Sequence, residues 1–115
     1  MYLISIYFDE KTDKEIRYLM GQIAKNTGNT TLLDDNVPPH ITISAFETKE
    51  ETNAIEVLAN CCKKLTKGEL YWTSVSTFLP YVIYLSPVLN KYLLDMSQMI
   101  YDHFSTMESI SINKY

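Results

Sequence analysis

The sequence predicts an α+β fold in one domain, with its elements in the order β-α-β-α-β-β-α-β. Short segments in which apolar and polar residues alternate are interleaved with longer ones in which apolar residues recur at helical spacing between cap and stop signals. No internal repeat, low-complexity tract or linker divides the 115 residues, and 46% hydrophobic with 21% charged residues is the balance of a chain that builds one core.

Tyr2–Phe8 is rich in Ile, Tyr and Phe and reads as a first strand well inside a sheet. Thr12 with Glu15 has the pattern of a capping box, and Ile16, Leu19, Met20 and Ile23 then follow at helical spacing until Gly28 supplies a stop. Asn29–Asn36 reads as a polar loop. In the strand that follows, Ile41, Ile43 and Ala45 point one way and His40, Thr42 and Ser44 the other, because successive side chains leave opposite faces. Pro38 and Pro39 hold the approach to it extended without removing a donor from the middle of a sheet.

A second capping box, Thr48 with Glu51, opens a helix whose inward stripe reads Ile55, Leu58, Ala59, Cys62 and Leu65, and which closes at Lys67-Gly68. On that stripe Cys62 is core filler rather than a nucleophile. Glu69–Leu79 and Tyr81–Leu85 read as two strands joined at Pro80. Ser86-Pro87 has the form of an N-cap and first turn for a third helix, with Leu89, Tyr92, Leu93, Met96, Met99, Ile100 and Phe104 along one side. Ser109–Asn113 starts a last strand. The helices are expected on the sheet face away from His40, which leaves the other face free to line a cleft.

Fourteen acidic residues against ten basic ones give a net charge of -4. No broad basic surface is therefore available to hold nucleic acid by counterion release, and any nucleic-acid substrate must be gripped locally, at an end. Met1–Phe8 is too short for the apolar region of a signal peptide and runs into Asp9-Glu10-Lys11, and no stretch approaches the length of a membrane span. The adjacent Cys61-Cys62 pair within a helix suits neither a structural disulfide nor a metal site. A cytoplasmic setting without a membrane partner is the expectation.

The segment that carries chemistry is Val37-Pro38-Pro39-His40-Ile41-Thr42-Ile43-Ser44. His-x-Thr on one strand face supplies a group able to move a proton near neutral pH and, two residues on, a hydroxyl able to donate to a phosphoryl or carbonyl oxygen. A three-residue pattern of this kind also arises by chance, and an ordinary strand histidine is the plainer account of it.

With the helices and strands around it, the run Pro-Pro-His-Ile-Thr-Ile-Ser resembles the two-histidine (2H) phosphoesterase superfamily, in particular its bacterial 2′-5′ RNA ligase and cyclic phosphodiesterase-like branch. The resemblance follows nearly the whole chain in order, through Tyr2–Phe8, the helix after it, the His40 strand, the next helix, and the pair Ser74–Leu79 and Val82–Pro87 before a last helix. It implies a bilobal fold of antiparallel sheets with flanking helices, in which two His-x-Thr/Ser motifs face each other across a cleft. One histidine then acts as general base and the other as general acid on a 2′,3′-cyclic phosphate or a 2′-5′ linkage in RNA or a nucleotide. No metal or other cofactor is implied, and the hydroxyls hold the phosphoryl oxygens. Carried onto this sequence, His40 takes the proton-transfer role and Thr42 the phosphate-donor role, with Ser44 as a further substrate-binding candidate on the same face.

This chain departs from the family pattern at the second motif. His103-Phe104-Ser105 has the letters His-x-Ser but falls at the end of an amphipathic helix, where the plainer role for His103 is a half-buried ring or a charge favourable to the helix dipole. In the family pattern the second histidine follows a strand that would begin about where Ser109–Tyr115 lies, so the expectation is a chain that ends just before it. Three forms follow: a shortened enzyme, a relative that binds phosphate or nucleotide ends without turning them over, or a homodimer that recruits a histidine from a second subunit. A different class, a protein-interaction module presenting tyrosine-rich strands that include Tyr71, Tyr81 and Tyr84, is the alternative.

Overall fold

A computed structural model of the chain describes residues 1–28, 30, 36–78 and 82–112. Among these the elements run β1 (Tyr2–Tyr7), α1 (Glu10–Thr27), β2 (His40–Thr48), α2 (Glu51–Cys62), β3 (Trp72–Phe78), β4 (Val82–Pro87), α3 (Lys91–Ser105) and β5 (Ile110–Ile112). The fold is thus a small mixed α+β one with three helices and two sheets, one of three strands in the order β1-β2-β5 and one of two strands, β3-β4. The polar loop Asn29–Asn36, apart from Thr30 and Asn36, lies outside the described residues, as do the Pro80 junction with Leu79 and Tyr81, and Asn113 at the end of the last strand.

The chain divides into two compact units. The first comprises Met1–Ser5, Thr42–Tyr71 and Val88–Tyr115, and the second Ile6–Ile41 and Trp72–Pro87. The first unit holds most of the buried apolar side chains, among them Ile4, Ile43, Phe46, Ala54, Cys61, Leu93, Met96, Ile100, Phe104 and Ile110. Leu93, Met96, Ile100 and Phe104 recur at three- and four-residue spacing, which places them on one face of α3. At its last turn the Phe104 ring meets Phe46 edge-on, with centroids 5.0 Å apart, a geometry aromatic pairs favour. β5 closes the same sheet antiparallel to β2, with Phe46 opposite Ile112 and Thr48 opposite Ile110.

Each helix begins where a side chain accepts an orphan backbone N–H or where the preceding turn supplies the geometry, and in all three cases this differs from the sequence expectation. α1 starts at Glu10 because the Asp9 carboxylate accepts from the Thr12 N–H at 3.0 Å, so Thr12 lies inside the helix rather than capping it. For α2, Glu50 occupies the N-cap position without a side-chain bond. Thr48 instead accepts from the Glu50 N–H at 3.0 Å and donates to the Ser109 carbonyl at 2.9 Å, which ties the end of β2 to the approach to β5. α3 opens at Lys91 with Asn90 accepting from the Leu93 N–H at 3.0 Å. Ser86 and Pro87 belong to β4. Pro87, which has no N–H to give a ladder, sits at the strand end opposite Trp72, where the register of the hairpin shifts. β3 thus begins at Trp72 rather than Glu69, and β4 runs from Val82 to Pro87 rather than from Tyr81 to Leu85.

The inward face of α2 also differs. Ala54 and Cys61 are buried while Ile55 is 58% exposed and Cys62 is exposed. The stripe therefore runs through Ala54, Val57, Leu58, Cys61 and Leu65, which is itself a helical spacing. A sequence with Ile55 and Val57 on either side of a turn satisfies two neighbouring stripes, and packing selects the one with the smaller residues. Cys61 has no exposure at all, and its burial, with Cys62 adding a smaller push and Lys64 opposing, holds the thiol above its ordinary value. Two glycines have structural duties. Gly28 ends α1 in the left-handed conformation at φ 72° with its N–H on the Ala24 carbonyl, and a Cβ at Gly68 would stand 2.5 Å from the Tyr92 ring.

In the second unit α1 and the β3-β4 hairpin contribute the apolar side chains, with Ile16 and Ala24 buried on the helix. The hairpin pairs Val75 with Leu85, Ser76 with Tyr84 and Thr77 with Ile83. No helix among the described residues is long and apolar enough to cross a membrane. β1, expected well inside a sheet, lies at the edge of the three-stranded sheet with β2 in the middle, and its Leu3 and Tyr7 are exposed.

Candidate functional site

His40 is the first residue of β2 and is exposed. Its approach is set by two prolines, of which Pro38 is exposed and Pro39 buried. With φ fixed in both, the Pro38 carbonyl is carried back over the histidine ring, and His40 Nδ1 lies 2.8 Å from it. A carbonyl oxygen only accepts, so Nδ1 carries the proton and donates. In that tautomer Nε2 is left with its lone pair, and no partner for it occurs among the described residues. The Tyr7 ring stands beside the imidazole at 5.9 Å, tilted by 43°.

Thr42 is exposed too, and its hydroxyl lies 3.3 Å from the Ser5 hydroxyl of β1. The boundary between the two units falls between Ile41 and Thr42, so Thr42 is described with the first unit and His40 with the second.

Ser44 does not continue the row. It is 2% exposed, within a run of four buried residues from Ile43 to Phe46, after which Glu47 is exposed. Both parities are buried from Ile43 to Phe46, so this stretch of β2 is covered on both faces. Tyr2 of β1 stacks on the Phe46 ring with centroids 5.4 Å apart, and α3 covers the same ring through Phe104. The exposed row expected from His40, Thr42 and Ser44 therefore extends only as far as Thr42.

The other histidine is engaged at both nitrogens. His103 lies in the last turn of α3, half-buried, with Nδ1 2.8 Å from the Met99 carbonyl and Nε2 3.1 Å from the Lys64 ammonium. Nδ1 must donate to the carbonyl and Nε2 accept from Lys64. This ring is a structural link between α3 and the end of α2, and it matches the plainer of the two sequence readings.

The sequence reading missed a cavity in the second unit. A space of about 280 Å³ is lined by α1 through Ile16, Leu19, Met20 and Ile23, by Phe8, by the segment Val37–Ile41 including His40, and by Trp72, Ile83, Tyr84 and Leu85 of the hairpin. Phe8 and Trp72 meet edge to face at 5.7 Å. Among the described residues the lining contains no acidic side chain, Lys or Arg. A signal was present in the sequence, since Trp72 is the chain's single tryptophan, but nothing local ties residue 72 to residue 40. Among the described residues no group of His, Cys, Asp and Glu could hold a metal ion. No protein-family model matches the chain, and comparison with curated proteins and with solved structures gives no significant match.

Proposed function

We propose that this chain is a phosphoesterase domain of the 2H kind, resembling the 2′-5′ RNA ligase and cyclic phosphodiesterase branch, with His40 as the general base. The observation that carries the reading is the state of His40, exposed at the start of a strand with Nδ1–H committed to the Pro38 carbonyl. An imidazole held in this way has one defined acceptor, Nε2, and does not have to reorganise before taking a proton.

On a 2′,3′-cyclic phosphate the step would be the removal of a proton from water by His40 Nε2 as the water oxygen bonds to phosphorus. The bond from phosphorus to one ribose oxygen breaks, and that oxygen takes up a proton from a second group. The Thr42 hydroxyl, exposed on the same strand, is the donor for a phosphoryl oxygen in this reading. Ser44 has no part in it, because its hydroxyl is enclosed.

The second proton donor is the element that decides between this reading and its neighbour. His103 is held at both ring nitrogens, and this favours, as a second reading, a domain that binds a phosphate or nucleotide end without turning it over. The test is hydrolysis of a 2′,3′-cyclic nucleotide by the protein and by His40→Ala. The expected outcome is turnover that falls by on the order of 10²–10⁴-fold in the variant with an unchanged unfolding midpoint. Undiminished turnover in His40→Ala would remove His40 from the chemistry. No turnover by the unaltered protein, with the His40 ring signals moving on addition of a 2′-nucleotide, would select the binding reading.

A further inference from the structure

We propose that the outer edge of β3 is a dimerisation surface whose partner is a second copy of this chain, paired antiparallel about Val75. β3 reads Trp-Thr-Ser-Val-Ser-Thr-Phe from Trp72 to Phe78 and pairs with β4 along one edge, in regular register from Ser74 onward. Among the described residues no strand takes its other edge. Such an edge is a row of backbone N–H and C=O groups that can template a further strand, and proteins blunt it with Lys, Pro or inward charges. β3 has none of these along its 7 residues. Its Thr73, Ser74 and Thr77 are exposed, and Val75 is 56% exposed.

The choice of partner follows from the order of the residues. A two-fold interface joins a surface to itself and must therefore be self-complementary. Read outward from Val75 in either direction, β3 runs Ser, Thr and then an aromatic residue. An antiparallel second copy thus sets Val75 opposite its own counterpart, Ser74 opposite Ser76 and Thr73 opposite Thr77, and cross-strand hydroxyl pairs of this kind stabilise a sheet. β4, with Val-Ile-Tyr-Leu-Ser-Pro, has no such centre and ends in a proline. Charge points the same way. Two chains of net charge -4 repel, but neither strand of the hairpin carries Asp, Glu, Lys, Arg or His, so no like charges meet where the copies join. The product is a four-stranded sheet in the order β4-β3-β3-β4.

One strand from each copy makes an interface below the roughly 1,200 Å² of standard ones, so association is expected to be weak and reversible. The test is sedimentation of the protein from about 1 µM to about 1 mM, in reductant so that the exposed Cys62 cannot bridge two chains. A concentration-dependent dimer is the expected result. Val75→Lys brings two ammonium groups together at the two-fold axis and should weaken the dimer by about 10- to 100-fold, with the unfolding midpoint unchanged at a concentration where both proteins are monomeric. The register is read independently of Val75 by two double variants. Ser74→Lys with Ser76→Glu places opposite charges across the junction and should keep the dimer, whereas Ser74→Lys with Ser76→Lys places like charges there and should lose it by a similar factor. A monomer throughout would overturn the proposal, as would a dimer insensitive to Val75→Lys or equal dimerisation of the two double variants.

Discussion

At its start β2 exposes the even positions His40 and Thr42, while at its end it buries the even position Phe46 and exposes the odd Glu47. The two ends thus use opposite parities for opposite purposes. The end near Phe46 is packed, with Tyr2 and Phe104 on the Phe46 ring and Ile110 and Ile112 paired alongside. At the other end a histidine is held by one backbone carbonyl and little else. One strand thus serves both a core and an open face, and the candidate residues His40 and Thr42 lie on the part of it that packing does not need.

The comparison can be broken most severely at the packed end. Phe104 has no exposure, and Phe104→Ala is expected to destabilise the protein by about 3–5 kcal/mol, measured as the shift of the denaturant midpoint; a loss under about 1 kcal/mol would mean that the Phe46–Phe104 contact does not hold the first unit together. The change from open to enclosed along β2 is tested by a matched pair. Ser44→Leu should cost about 1–3 kcal/mol because it overfills an enclosed position, whereas Thr42→Leu, on the open side, should stay within about 0.5 kcal/mol. Equal effects at the two sites would mean that β2 is not enclosed at residue 44.

The smallest effect concerns the second unit, where helix entry rather than core packing is at issue. Asp9→Ala should cost about 1 kcal/mol and Thr12→Ala less than about 0.5 kcal/mol, since Asp9 is the residue that accepts the orphan N–H. The reverse order would restore the capping box read from Thr12 and Glu15. Among the described residues the i,i+4 ion pairs Glu10–Lys14 and Lys91–Asp95 are largely solvent-exposed and Asp13–Arg17 is partly so, and exposed pairs of this kind contribute little enough that they do not disturb these comparisons.

Much of the element order was legible from local pattern. Alternation marked β1, the start of β2 and β5; the 3.6-residue recurrence of Leu93, Met96, Ile100 and Phe104 marked α3; and Gly28 marked the end of α1. These are legible because helix and strand periods are properties of the backbone and act within a few residues. Helix starts were less so. The sequence reading placed these caps at Thr12 and Ser86, whereas Asp9 and Asn90 hold them, because the path of the preceding chain decides which oxygen reaches an N–H.

Of the candidate site, the sequence by itself determined the placement of His40 and Thr42 at the start of a strand, through two prolines and a two-residue spacing that survive whatever surrounds them. Only the tertiary structure decided that Ser44 is enclosed, that Cys61 rather than Cys62 is buried, that His103 is tied to Lys64 and Met99, and that Phe8, Trp72 and Tyr84 gather around the space beside His40. The physical reason is the same in each case. A local pattern limits which faces a segment can bury. Which of two neighbouring faces is buried, and which residues far apart in sequence meet there, depends on the volume and partners that other elements present.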